Sequence, residues 1–578
     1  MSHMPGPPTG NPLPRDLHRH GWDPVLAAGI ALLAFVWTWH CGLRGFFPFD
    51  QSIVFDLGHR IASGQVMYRD FILPMGPVLA WVQGLVFIVF GTSYPAYVGT
   101  AAAFAAMASL LVFTLIRRAS GSRIYASMGA LVTAAWFQAP FGTPWFEQAA
   151  GLCGLAALTC LVPRDGTNPG LRGVIASGVL AALAIFCKQN CGFVICAAVL
   201  VITLTRAWIH DRSTIRDGAA FCLSCGITVA TIVSILCGQG DSELFLRHFV
   251  EIPASVGRER LLADPFTTLK GLLIGPYASE ERWVLLGVAA VAFAGLLRRR
   301  VTDDRRPAAL GALVALAGVA IQNTLLVSTK NQPENGQMML GMSLGLAFGC
   351  WWPRSRARPP MTSPGRLAVL LVAGAASALV IANATQVGWD RTVHDVFDGA
   401  TFGSAPADVP ILDDLAWAEP TRIAGRGINP VDLRGLVGEL KSRSGRFVVF
   451  TDFTLLYPML DMEPPLPLPW FHRGLTYSRE HAPQMDRWLL SRLQERAVTT
   501  VVIESVGWPD VMAEIERKAQ RGESLTGIDP TKPMTGVIAA NALDRDPLSD
   551  FPVTVEFLRT RFKIVATFGI FEVWARGP

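Results

Sequence analysis

The chain has 578 residues, 51% hydrophobic and 16% charged, with a formal net charge of +5. A soluble domain carries about 25% charged residues, so the composition excludes an ordinary soluble enzyme and points to a polytopic membrane protein. The small positive charge is no nucleic-acid footprint, because the arginines sit in short clusters between apolar runs, the pattern that sets membrane topology.

A short segment, 1–23, bears Arg15 and Arg19 and precedes the first apolar run, Pro24 to Leu43. That run is long for a signal-peptide core and no small-residue cleavage site follows, so it reads as an uncleaved helix with a cytoplasmic N-terminus. Further apolar runs fall at about 77–91, 97–116, 124–139, 147–163, 173–187, 191–209, 219–237, 283–297, 308–327, 338–352 and 366–383. The clusters between them include Arg117, Arg118 and Arg123, then Arg164 and Arg172, Arg206, Arg212 and Arg216, Arg298 to Arg300 with Arg305 and Arg306, and Arg354 to Arg366. These clusters belong inside. All of them share a side with the N-terminus only if run 77–91 does not cross. It holds about 15 residues, roughly 23 Å of helix, follows Pro74 and Pro77, and is interrupted by Gln83. It is read as a re-entrant or juxtamembrane helix. About eleven spanning helices remain in a membrane domain, 24–383.

The parity places residues 44–96, about 140–146, 188–190, about 238–281, about 328–337 and everything after about 384 on the outer side. From residue 384 to 578 charges become frequent and strands are expected at Arg446–Phe450 and Thr499–Ile503. An amphipathic helix is expected over Gln484–Arg496 and a hairpin in FKIVATFGIFEVWAR near the end. This reads as a periplasmic or extracellular α/β domain, either a lid or acceptor platform or simply an anchor. The ten cysteines lie between Cys41 and Cys350, mostly in apolar runs, and read as packing residues.

Chemistry-capable groups collect on the outer side. Asp50 is the first acid after the first span. A carboxylate there is costly unless something uses it, although capping of a helix from about Gln51 is the plain alternative. Asp56 and Arg60 make an i,i+4 pair and read as structural. Tyr68, Arg69 and Asp70 follow, with an Arg–Asp pair that either meets substrate or holds the loop. Glu147 opens the run at 147, where the helix dipole also favours it. With Asp50 it can hold a cation or divide acid–base work. Lys188, Gln189 and Asn190 join two runs. The lysine either snorkels or binds a lipid phosphate, with the amides adding donors. In loop 238–281, Arg258 and Arg260 suit a phosphate clamp, and Lys330 faces the same side.

The stretch FDQSIVFDLGHRIASGQVMYRDFILPMGPVLAWVQGLVFIVFGTS resembles the first outer loop of GT-C superfamily glycosyltransferases. The nearest branch is the bacterial relatives of protein O-mannosyltransferases and of the lipid A aminoarabinose transferase. Asp50, Gly64 to Phe71, Pro77 and Phe90 to Ser93 carry the likeness, as do RRASGSR and ALAIFCKQNCG. It is good over about 24–210 and weaker to 383. Gln51, Glu147 and ENGQMM depart from the usual pattern. The resemblance implies a mainly α, GT-C-like membrane protein and inverting transfer from a polyprenyl-phosphate-sugar donor at the outer face of the bacterial inner membrane. Asp50 would be general base or acceptor-orienting acid. Lys188, Arg258, Arg260 or a divalent cation (Mg or Mn) held by Asp50 and Glu147 would offset leaving-group charge. Acceptors in the superfamily are lipid, protein or glycan. A lipid-linked glycan flippase, or a glycan polymerase or ligase, is the alternative reading.

Overall fold

The computed structural model describes residues 22–44, 50–138, 142–162, 170–209, 213–262, 280–297, 306–329, 337–349, 351, 364–393, 402–403, 409–412, 414–418, 430–450, 453–469, 471, 476–478, 480–504, 550–569 and 571–577. Helices dominate. The first span is α1 (Asp23–Gly42), followed by α2 (Asp50–Ala62), α3 (Val78–Phe90), α4 (Tyr94–Ser120), α5 (Arg123–Trp136), α6 (Phe146–Leu161), α7 (Leu171–Cys187), α8 (Gln189–Ile209) and α9 (Thr214–Gln239). After α9 come α10 (Ser242–Phe245), a π-helical turn (Leu246–Glu251) and α11 (Ile252–Leu262). Then follow α12 (Glu280–Leu297), α13 (Arg306–Thr329), α14 (Leu340–Gly349) and α15 (Pro364–Val393).

Helix α3 has 13 residues, about 20 Å, too short for a bilayer core of roughly 30 Å. It packs on α2 and α4 and leaves Leu85, Ile88, Val89 and Phe90 exposed. Among the described residues, five helices are long and apolar enough to cross a membrane: α1, α4, most of α8, α9 and 367–386 within α15. The other helices at expected spans are shorter. The 14-residue α5 continues into non-helical backbone that stays bonded, with Phe137 N–H donating to Thr133 O and Gln337 N–H to Trp136 O. Irregular backbone is tolerated at membrane depth when it is buried in protein.

Charge pairs mark one end of the bundle. Asp23 at the start of α1 accepts from Arg117 at 3.0 Å and also from Arg123, joining the end of α4 and the start of α5. Arg118 donates to Thr159 O near the end of α6. Arg206 and Asp217, fully buried, pair at 2.7 Å between α8 and α9. The N-terminal helix start and these arginines therefore share an end, as the charge parity requires. At the opposite end, Tyr68 of the first outer loop and Gln189 at the α7–α8 junction are bonded to segment 240–262, at Asp241 and Phe249. Gly42 and Gly142 allow two backbone segments to touch, since a Cβ on Gly142 would stand 2.3 Å from Gly42 N.

Residues 402–577 form a small α/β unit. Strands β1 (Phe402–Gly403) and β2 (Trp417–Ala418) pair antiparallel. A four-stranded sheet has the order β3-β4-β6-β5, with β3 (Arg446–Phe450) parallel to β4 (Val498–Glu504), and β5 (Phe562–Phe568) and β6 (Phe571–Arg576) forming a hairpin. Helix α16 (Pro430–Ser442), the short α17 (Leu456–Met459), α18 (Ala482–Glu495) and α19 (Pro552–Arg561) complete it. Alternate sheet faces bury Phe447 and Val449 in one cluster and Val448 and Phe450 in another.

Removing one partner of a buried ion pair costs about 3–5 kcal/mol. Arg206→Ala should therefore lower the melting temperature of the purified protein clearly. Arg216→Ala, whose side chain is 57% exposed and 3.5 Å from the same aspartate, should barely change it. Equal effects would contradict the burial argument.

Candidate active site

At the end opposite the arginine pairs, Asp50 begins α2, one residue earlier than the sequence expects. Its backbone is described; its side chain, with that of Gln51, lies outside the described atoms. The end of α1, before it in the chain, is held by Tyr94, which donates its hydroxyl to Gly42 O at 3.0 Å.

Glu147 and Lys188 form an ion pair, with side chains 8% and 11% exposed. Glu147 lies in the first turn of α6, where the helix dipole favours a carboxylate. Lys188 is the single extended residue between α7 and α8. The pairing is possible because that kink turns the lysine inward toward α6. The sequence expects Lys188 at a lipid phosphate or snorkelling and Glu147 facing Asp50; the structure joins the two instead. A divalent ion at Glu147 would meet the Lys188 ammonium as a like charge. Mg²⁺ also needs near-octahedral oxygen coordination, whereas among the described residues no group of three His, Cys, Asp or Glu side chains gathers. The expected Asp50–Glu147 metal pair involves an Asp50 side chain that lies outside the described atoms, and no step proposed below runs through a metal.

An aromatic column supports the lysine. Phe186 stacks on Phe249 at 5.3 Å, Phe249 on Phe245 at 5.3 Å, and Tyr68 meets Phe245 edge-on at 5.3 Å. Gln189 donates its amide N–H groups to Pro74 O at 2.7 Å and Phe249 O at 3.0 Å. Gly76 passes so close to α7 that a Cβ would lie 1.8 Å from Phe186 O. The first outer loop, the end of α7 and the π-helical turn are thus one packed unit.

Three expected substrate residues take structural roles here. Tyr68 is fully buried, stands at φ 61°, and donates its hydroxyl to Leu73 O at 2.9 Å. Left-handed backbone at a bulky residue costs about 1–3 kcal/mol, so the loop is held by burial and not left open for substrate. Gln189 is engaged as above. Asn190 accepts from Cys191 N at 2.9 Å. Arg69 and Asp70 grip each other on the surface, and Val66 N–H also donates to Asp70 at 2.7 Å. Arg69 thereby holds the Asp70 carboxyl below its usual range. Arg258 lies exposed on α11 and forms no bond among the described residues. The Arg260 side chain and Lys330 lie outside the described residues.

Sequence reasoning places His248 only among the polar groups of loop 238–281, and it is 4% exposed on the π-helical turn; it does not single out the buried Trp136 and Gln138 at the end of α5. The only signal was that polar groups end apolar runs there. Burial, then Arg247 and His481, push the His248 imidazole down to about 4.

Two outcomes test this geometry. Glu147→Gln and Lys188→Met should each destabilise the protein, by about 3–5 kcal/mol at most, while the double variant should recover most of the loss in a thermal cycle. Simple additivity would show that the pair is uncoupled. For His248, the folded state disfavours the proton that the unfolded chain takes up near pH 6.5. Stability should fall as pH drops from about 6.5 toward 4, and His248→Gln should flatten that slope.

The family model for Dolichyl-phosphate-mannose-protein mannosyltransferase matches residues 74–232. No curated protein matches the chain in sequence. In structure the chain is similar to ArnT from Cupriavidus metallidurans bound to undecaprenyl phosphate, at 13% identity and TM-score 0.52, covering 96% of this chain and 99% of ArnT. ArnT in the apo state gives 13% identity and TM-score 0.52, covering 97% and 100%. The oligosaccharyltransferase AglB from Archaeoglobus fulgidus is more distant, at 12% identity and TM-score 0.44, covering 86% and 71%. The chain thus shares the fold of ArnT, and over residues 74–232 it matches the protein mannosyltransferase family model.

Proposed function

We propose that the chain is an inverting glycosyltransferase that moves a sugar from a polyprenyl-phosphate-linked donor to an acceptor at the outer face of a bacterial cytoplasmic membrane. The observation that carries this reading is the buried Glu147–Lys188 pair at the end of the bundle where Gln189 is bonded to Pro74 of the first outer loop, the loop that also holds Asp50. A polyprenyl phosphate suits the reading because ArnT, of the same fold, has been seen bound to undecaprenyl phosphate. The arginine-rich end is then cytoplasmic by the positive-inside rule, and the sheet domain is outside.

In the reaction, an acceptor hydroxyl attacks the anomeric carbon from the face opposite the phosphate. The carbon–oxygen bond to phosphate breaks, its electron pair stays on phosphate, and configuration inverts. Asp50 takes the hydroxyl proton or orients the hydroxyl, which requires hydrogen-bond reach. Lys188 offsets the growing phosphate charge. Its partner Glu147 keeps it aimed inward. Arg258, exposed on α11, together with Arg260 and Lys330, would meet the phosphate from the loop side. The acceptor is a lipid, protein or glycan.

Purified protein in liposomes with undecaprenyl-phosphate sugars tests the reading. Wild type should consume a donor, and Asp50→Asn should lower kcat by about 10²–10⁴-fold with little change in donor KM. Equal turnover by both would remove Asp50 from the chemistry. Movement of donor across the bilayer without its consumption would make the protein a flippase.

A further inference from the structure

Contacts on both sides of Asp50 tie the bundle to the C-terminal unit. Ala416 N–H donates to Leu43 O at 2.9 Å, and Arg44 bridges to Ala416, just before the segment that leads into α2. Ile72 N–H donates to Pro467 O at 2.8 Å just beyond α2. Arg247 donates to Gln484 from the π-helical turn. Between these fixings the short α17 packs directly on α2.

The packed face of α2 is polar. Asp56 and Arg60 pair at 2.9 Å with side chains 0% and 1% exposed. Arg60 also lies over the Phe71 ring at 5.6 Å. Tyr457, fully buried on α17, accepts from Val449 N–H of β3 at 3.0 Å, and its hydroxyl lies within electrostatic reach of both charges. His59 on the same face feels Asp461 at the end of that turn. Asp56 Oδ1, Arg60 Nη2 and Thr454 Oγ1 are buried without hydrogen-bond partners. A surface i,i+4 pair would not need such enclosure. A buried ionic cluster gives less stability than apolar packing of the same volume, but it fixes geometry.

Resting on the reading of Asp50 above, we propose that the C-terminal unit is a positioning element for the catalytic helix: residues 453–461 lock α2 through the Asp56–Arg60 pair, with Arg60 and Tyr457 as the positioning residues. Asp50 stands six residues before Asp56 on one rigid helix, about 9 Å along its axis. Rotation or sliding of α2 therefore moves Asp50 directly. Nothing in this role requires the unit to hold the donor.

Full-length Tyr457→Phe, Arg60→Lys and Arg60→Met in lipid nanodiscs test the inference with two readouts. Tyr457→Phe removes the bond that ties α17 to β3, so amide hydrogen exchange over 52–60 should quicken about 5–10-fold, the scale of one lost hydrogen bond, and more in Arg60→Met. Exchange in α4 and α6 should stay as in wild type. With an active donor, kcat should fall by up to about 10²-fold in Arg60→Met, the scale of a 1 Å misplacement, with donor KM within twofold and Arg60→Lys recovering part of the loss. Unchanged exchange over 52–60 in Tyr457→Phe and Arg60→Lys overturns the lock, as does a rise in KM at constant kcat. If wild type turns over no donor, the transfer reading fails alone, and the exchange data still decide whether residues 453–461 hold α2.

Discussion

An apolar bundle tolerates ionised side chains where they are paired, and the Glu147–Lys188 pair shapes the site end of this one. The two residues lie 41 positions apart on different helices, so their union fixes the start of α6 against the α7–α8 kink. Unpaired, either charge would be expensive at that depth. Around this fixed point the aromatic column from Tyr68 to Phe186 and the two amide bonds of Gln189 bring the first outer loop into place. The far end is tied by the same logic, with Asp23 between Arg117 and Arg123 and with Arg206 on Asp217.

This arrangement separates three tasks. The pair provides a rigid, charged floor. Helix α2 begins at Asp50. The sheet domain holds α2 from above. Helix α3, with Leu85, Ile88, Val89 and Phe90 turned outward, offers an apolar flank along which a lipid-borne substrate can approach in the membrane plane. A donor delivered this way needs no nucleotide-binding domain, which suits a chain whose sequence contains no glycine-rich phosphate loop.

Much of the fold is legible in the sequence because it rests on local rules. Charge parity sorts the ends, a wholly apolar run marks the buried strand Arg446–Phe450, and alternation marks the last strand, Phe571–Arg576. The partnerships are not legible, because they are tertiary. Nothing local says that Lys188 turns toward Glu147 and not toward lipid, or that Gln189 reaches Pro74 and Phe249. Tyr68 looks like a polar handle in a loop, yet a left-handed backbone and burial against Phe245 make it an anchor. The i,i+4 spacing of Asp56 and Arg60 shows that they pair, but only the fold shows that α17, some 400 residues on, packs on the same helix.

The central claim is that the end bearing Glu147, Lys188 and Asp50 receives a polyprenyl phosphate. A density map of the full-length protein with undecaprenyl phosphate in nanodiscs tests it most directly. The account predicts the phosphate within salt-bridge reach of the Lys188 ammonium, below the first turn of α2, with the isoprenoid chain leaving sideways into lipid. A phosphate bound instead among Arg117, Arg123 and Arg206 at the opposite end would contradict it.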